Sequence, residues 1–154
     1  MRKSWLVAIA LLLIVCSSAS AIAISRRALI GERTTLTFDL QGVAGEGIDL
    51  GAPGESIGDQ FVSSSLLLEG GAEVGRVESV CSMTNTDPMT TVCHAALRLD
   101  GGQIALMGRV PGEALSGEAN IRIAVIGGTG AYRHAHGSAT IDTVGSILTL
   151  VLTP

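Results

Sequence analysis

A chain of 154 residues with a formal net charge of −4 and only 3 % aromatic side chains has neither the basic surface nor the stacking rings that nucleic-acid binding uses. Trp5 is the one tryptophan, and it falls in a segment that reads as a targeting signal. A nucleic-acid partner is therefore excluded from the expectations.

Residues 1–23 have the layout of a signal peptide. Arg2 and Lys3 start it, Trp5 to Val15 is an unbroken apolar run, and Ala19-Ser20-Ala21 supplies a small-residue cleavage site. The run is shorter than the roughly 20 residues a spanning helix needs. Cleavage after Ala21 or Ala23 and secretion, or another extracytoplasmic location, are expected rather than a retained anchor. Lipidation at Cys16 fits poorly, because Val15 is bulky for the position before a lipidated cysteine. Without Arg2 and Lys3 the formal charge goes from −4 to −6, with eight arginines, no lysine and fourteen carboxylates. Roughly 130 residues are left, enough for one domain with one core.

Residues 24–45 are expected to hold an N-terminal segment with the first strand, and 46–154 the remainder of a single β domain whose barrel spans about 34–154. In the first strand, Leu36, Phe38 and Leu40 alternate with Thr35, Thr37 and Asp39, the period-two pattern of a half-buried strand. From Gly42 to Gly58, glycine, Pro53 and acidic residues read as loop, with a short edge strand around Ile48 to Leu50.

Seven further strands follow at short intervals: 59–69, 73–83, 90–99, 103–110, 120–126, 138–144 and 147–152. Each is rich in β-branched or aliphatic residues, and Gly, Pro, Asn and Asp separate them. Eight strands joined by turns too short for crossover helices form an antiparallel sheet. A sheet of that size closes into a barrel or splits into a sandwich, and the even, glycine-rich spacing favours an eight-stranded antiparallel barrel.

Cys81 and Cys93 flank the Asn85–Pro88 turn at equal distances, so a hairpin centred on Asp87 sets them opposite each other. Opposed residues have Cα atoms about 4.5–5.5 Å apart, within reach of a disulfide, and an exported chain keeps such bonds. The same register puts Val77, Met83, Ala95, Leu97 and Leu99 on the face of the cysteines, and Arg76, Glu78, His94 and Arg98 on the other. Glu78, His94 and Arg98 then form a polar cluster, either on a solvated outer face or lining a cavity. The last strand, Ile147 to Leu152, is apolar on nearly both faces, which predicts cover by a neighbouring subunit in a dimer or trimer.

Between two of the strands lies Gly127-Gly128-Thr129-Gly130-Ala131-Tyr132-Arg133, running on to Gly137. No Lys followed by Ser or Thr comes after Gly130, and Arg133 stands where G-x-G-x-x-G needs its last glycine, so neither phosphate-binding motif is present. Gly127, Gly128 and Gly130 read as turn glycines. His94, His134 and His136 do not share a metal-ligand spacing, and no metal site is expected.

With Ala135 and Gly137, the Gly127–Tyr132 stretch resembles the G-G-T-G-x-F/Y-x-x-A-x-G signature of dirigent proteins and allene oxide cyclase-like barrels. Gly58-Asp59-Gln60-Phe61-Val62, Val74-Gly75, Cys81, Cys93 and Gly102-Gln103-Ile104 are similar to the spacing in exported bacterial members, and the likeness runs from about Asp49 to the C-terminus. The resemblance implies an eight-stranded barrel, often oligomeric, whose mouth binds a hydrophobic small molecule. It also implies cyclisation or isomerisation without metal or organic cofactor, by confining a reactive chain near its cyclising geometry. Asp59, Tyr132, Arg133 and His136 are the candidate catalytic residues. Three of them also have a purely structural reading: Asp59 as turn acceptor, Tyr132 as a ring tied to the backbone, Arg133 as surface charge. Dirigent proteins commonly carry Arg where this chain has His136. The alternative to a cyclase is a non-catalytic exported barrel that binds an apolar ligand or self-associates.

Overall fold

The alternation seen at Leu36, Phe38 and Leu40 repeats around a closed sheet in the computed structural model, which describes residues 33–117 and 119–153. The strands are β1 Thr34–Ile48, β2 Gln60–Glu69, β3 Ala72–Thr86, β4 Met89–Leu99, β5 Gly102–Pro111, β6 Ile121–Gly128, β7 His136–Asp142 and β8 Ile147–Thr153. A one-turn helix α1, Gly112–Leu115, follows β5, and a 3-10 turn, Gly130–Tyr132, joins β6 to β7. All neighbours are antiparallel, and β8 returns to β1 to complete an eight-stranded barrel. The expected signal segment, residues 1–23, lies outside the described residues.

The stretch read as loop after Gly42 is instead strand as far as Ile48. Low strand propensity at Gly42, Gly45 and Gly47 is overridden because β2 supplies a continuous ladder, from Asp39↔Leu68 to Ile48↔Gln60, with one irregularity between Gly42 and Ala44. β8 accompanies β1 only over Thr34–Asp39. Among the described residues, Gln41–Ile48 therefore has a strand partner on one side alone.

The core is the inner register. Phe38, Leu67, Leu97, Ile104, Leu106, Val110, Leu148 and Leu150 are almost wholly buried, each such side chain worth about 1.5–3 kcal/mol relative to exposure. The cysteines join this face: Cys81 pairs with Cys93 across β3 and β4, with a Cα separation of 4.0 Å and a formed disulfide. Glu78 sits opposite Ala96, as the hairpin spacing predicts.

Candidate functional site

The two ends of the barrel differ. One end carries the β2–β3 and β4–β5 turns and the β6–β7 connection. There the backbone strands crowd together at glycines: a Cβ on Gly102 would fall on the Thr129 carbonyl, one on Gly130 on the Gly101 carbonyl, and one on Gly128 on the Tyr132 carbonyl. Thr129 donates its N–H to the Gln103 carbonyl at 2.9 Å and accepts the Gln103 N–H on its side-chain oxygen at 3.1 Å. Ala131 N–H reaches the Gly101 carbonyl at 2.8 Å. The glycine-rich connection is thereby sewn onto the β4–β5 turn, and the inner positions behind it, Leu36, Leu97, Leu99 and Ile104, are buried. This end is closed.

At the other end lie the 49–59 loop, the β3–β4 turn, α1 and the β7–β8 turn. Along the inner register, the large aliphatics of the closed end give way here to small residues on β1, β2 and β3. Gly45 faces Ser63, Ser63 faces Ser79, and Gly47 faces Phe61, which faces Cys81. Ser63, Ser65, Ser79 and Met83 are only half-buried, although they share the side of the sheet that buries Leu67 and Leu97. Phe61 is 46 % exposed, its ring lying over Gly45, where a Cβ would come within 3.2 Å of it. Inner-facing side chains that stay accessible mark an opening, and small side chains leave the room that Leu and Ile fill at the closed end.

Two hydroxyls meet on this wall. The side-chain oxygens of Ser63 and Ser79 are 2.7 Å apart across the β2–β3 ladder. Thr91, further round, is committed: its hydroxyl reaches the Val110 carbonyl at 3.3 Å and lies 3.5 Å from Cys93 Sγ. Within the rims, no Asp, Glu, Lys, Arg or His side chain among the described residues occupies an inner-register position. The serines were missed at the level of sequence; the signal was Ser63-Ser64-Ser65 interrupting an otherwise apolar strand.

The sequence-derived candidates are scattered. Asp59 stands beside the open end, but its carboxylate organises the loop: it accepts N–H groups from Leu50 at 2.8 Å and Ser56 at 2.7 Å, and the Ser56 hydroxyl at 3.0 Å. The bonds from Leu50 and Ser56 hold its pKa below the ordinary carboxylate value. It is the turn acceptor of the two readings. Tyr132, Arg133 and His136 are at the closed end. The Tyr132 hydroxyl reaches the Asp100 carbonyl at 3.4 Å, Arg133 Nε lies 3.1 Å from His134 Nε2, and His136 Nδ1 lies 2.9 Å from the His134 carbonyl. These three lie at the opposite end of the barrel from Asp59. Glu78, His94 and Arg98 are exposed on the outer wall, so the solvated reading of that cluster holds and the cavity-lining one does not. Among the described residues, no three His, Cys, Asp or Glu side chains gather as a metal site would require.

Residues 36–149 match the allene oxide cyclase barrel-like domain. The chain belongs to the allene oxide cyclase-like barrel family. A solved structure of a pyocyanin demethylase is 30 % identical, with a TM-score of 0.70, covering 78 % of this chain and all of that one (100 %). More distant barrels of the family's shape include a pterocarpan synthase dirigent protein, at 17 % identity and a TM-score of 0.58 over 80 % of this chain and 84 % of that one. Another is a Diels-Alderase from Streptomyces koyangensis, at 16 % identity and a TM-score of 0.52, covering 78 % of this chain and 61 % of that one. These two share the fold. No curated protein matches the sequence. An allene oxide cyclase-like barrel with the dirigent-type signature at its closed end is thus the setting in which the open wall around Ser63 and Ser79 has to be read.

Proposed function

We propose that this protein takes a hydrophobic small molecule into the open end of the barrel, against the wall formed by β1, β2 and β3. The observation that carries this reading is the change along the inner positions of β1 and β2, from buried Leu36, Phe38 and Leu67 to glycines, half-buried Ser65 and Ser63 and exposed Phe61, next to half-buried Ser79 and Met83 on β3. Apolar pockets with a few placed polar groups are the usual form of small-molecule sites, and an open barrel end is a common place for one.

A cofactor-independent ring closure or isomerisation at this site works by holding a flexible chain near its reactive geometry. The Diels-Alderase among the barrels of the same fold supports that chemistry by analogy. A second reading, binding without turnover, is favoured by one specific observation: among the described residues the inner register offers hydroxyls but no ionisable side chain to act as general acid or base. Native mass spectrometry of protein purified from its own host separates the readings. A bound compound recovered unchanged after incubation supports binding alone, and ring closure of it supports catalysis. If neither a bound compound nor any affinity for the apolar fluorophore N-phenyl-1-naphthylamine is found, the site is not a ligand site.

Two further proposals complete the reading. The Cys81–Cys93 bond is of a kind that persists outside reducing compartments, which supports an extracytoplasmic location. Self-association is best supported along β1 rather than β8: the outward positions of β8 alternate Ile147, Thr149, Val151 and Thr153, all half-buried between two strands, whereas Gln41–Ile48, beside exposed Val43, has a strand partner on one side alone among the described residues.

A further inference from the structure

We propose that the ligand of the open end is uncharged and carries a hydroxyl or carbonyl oxygen that the Ser63–Ser79 pair recognises, and that anionic molecules such as fatty carboxylates are rejected. This rests on the proposed reading of that end as a ligand site. Two independent features lead to it, one inside the barrel and one on its rim.

Inside, no Lys, Arg or His among the described residues stands on the inner register. A carboxylate drawn into the trough would lose water and find no Lys, Arg or His to replace it, and an unpaired buried charge is among the most costly arrangements in a protein. What the wall does offer is the Ser63–Ser79 pair. With their oxygens 2.7 Å apart, one hydroxyl donates to the other. The second then keeps its own O–H to donate, and lone pairs remain to accept. A pair so arranged complements a single alcohol, ketone or ester oxygen, with Ser65 two residues along the same face and the Phe61 ring and Met83 side chain for the hydrocarbon.

On the rim, the segments bordering the open end are acidic. Asp49, Glu55 and Asp59 lie in the β1–β2 loop, Asp87 in the β3–β4 turn, Glu113 in α1 and Asp142 at the β7–β8 turn, and these segments hold no Lys or Arg. Arg109, near the end of β5, donates to Thr90 Oγ1 at 3.1 Å and Arg122 lies at the start of β6, so these carboxylates outnumber the neighbouring cations, and a net negative rim disfavours a like-charged ligand before it enters. The rim by itself would welcome an amine, but an ammonium group has no carboxylate to meet on the inner wall, so the positive charge gains nothing by entry.

The test is displacement of N-phenyl-1-naphthylamine from the folded, disulfide-bonded protein at pH 7.5 by four ten-carbon competitors: 1-decanol, methyl decanoate, decanoate and decylamine. Decanol and the ester are expected to displace the probe at concentrations at least about tenfold below decanoate, the size that one poorly met polar group produces. In Ser63→Ala/Ser79→Ala, the affinity for decanol is expected to fall about three- to tenfold while that for the probe stays unchanged. Decanoate competing as well as its ester, or decylamine outcompeting decanol tenfold, overturns the assignment of an uncharged ligand. Equal loss of probe and decanol in the double variant overturns the role of the serine pair. Failure of the probe to bind the wild-type protein at all overturns the reading of the open end itself, a result distinct from the others.

Discussion

Asp59 Oδ1 accepts the Leu50 N–H at 2.8 Å across nine residues of sequence, and Oδ2 takes the Ser56 N–H at 2.7 Å, so one carboxylate ties together the loop that borders the barrel's open end. Its pKa is depressed by those bonds. The contribution is therefore fully present above the ordinary carboxylate range and is lost as pH falls through the lowered folded-state value. Hydrogen exchange followed by NMR is expected to show Leu50 and Ser56 amides losing protection below that point while the amides of β4 and β5 keep theirs. Asp59→Ala produces the same local loss at neutral pH. Unchanged exchange at Leu50 in this variant would mean that the loop is held by something else.

The Cys81–Cys93 bond closes a hairpin of sequence separation 12. Cys81→Ser/Cys93→Ser is expected to lower unfolding free energy by about 2–4 kcal/mol in urea titration. The fold itself persists in the variant, since the two strands retain their full antiparallel ladder.

Glycines at the two ends of the barrel serve two separable needs. Gly54 has φ +95° with nothing within 4 Å of a built Cβ, so Gly54→Ala is expected to cost only about 1 kcal/mol, from its left-handed backbone. Gly128 needs no positive φ, but a Cβ there would meet the Gln103 and Tyr132 carbonyls, and Gly130 combines φ +59° with a Cβ that would fall on the Gly101 carbonyl. Gly128→Ala and Gly130→Ala are expected to cost about 2–4 kcal/mol by thermal or chemical unfolding. Equal losses at all three positions would contradict the close backbone approach as the reason for the signature.

Substitutions at the two ends should part ligand binding from fold. Tyr132→Phe removes one long hydrogen bond and is expected to cost at most about 1 kcal/mol of stability, and His136→Ala less. Neither changes affinity for N-phenyl-1-naphthylamine. Phe61→Ala and Met83→Ala, at the open end, are expected to weaken the probe about tenfold each, through lost apolar contact. Loss of binding in the Tyr132 or His136 variant, with the open-end variants unaffected, would relocate the site.

Self-association along β1 gives a direct test. Val43, 53 % exposed on the half-paired length of the strand, is replaced by Lys, a residue that blocks edge pairing. Native mass spectrometry is expected to show a shift to monomer in Val43→Lys and no shift in Val151→Lys on β8.

Much of the fold is legible in local spacing, because strand periodicity and hairpin symmetry involve residues close in sequence. The eight strands, their antiparallel order and the pairing of Cys81 with Cys93 and of Glu78 with Ala96 all follow from such spacing. The signature from Gly127 to Gly137 pointed to the family through residues whose role is close packing, which is why Tyr132, Arg133 and His136 drew attention to the end of the barrel where the β6–β7 connection packs on the β4–β5 turn. Tertiary structure alone decided what depends on closure. β1 meets β8 more than a hundred residues along the chain, and only that meeting turns the Leu67 face inward and the Glu78 face out. The stagger of the closed sheet carries β1 on through glycines that locally read as loop. It also leaves the inward-facing side chains of Ser63 and Ser79 half-buried, a consequence of their height along the barrel axis that no local pattern encodes.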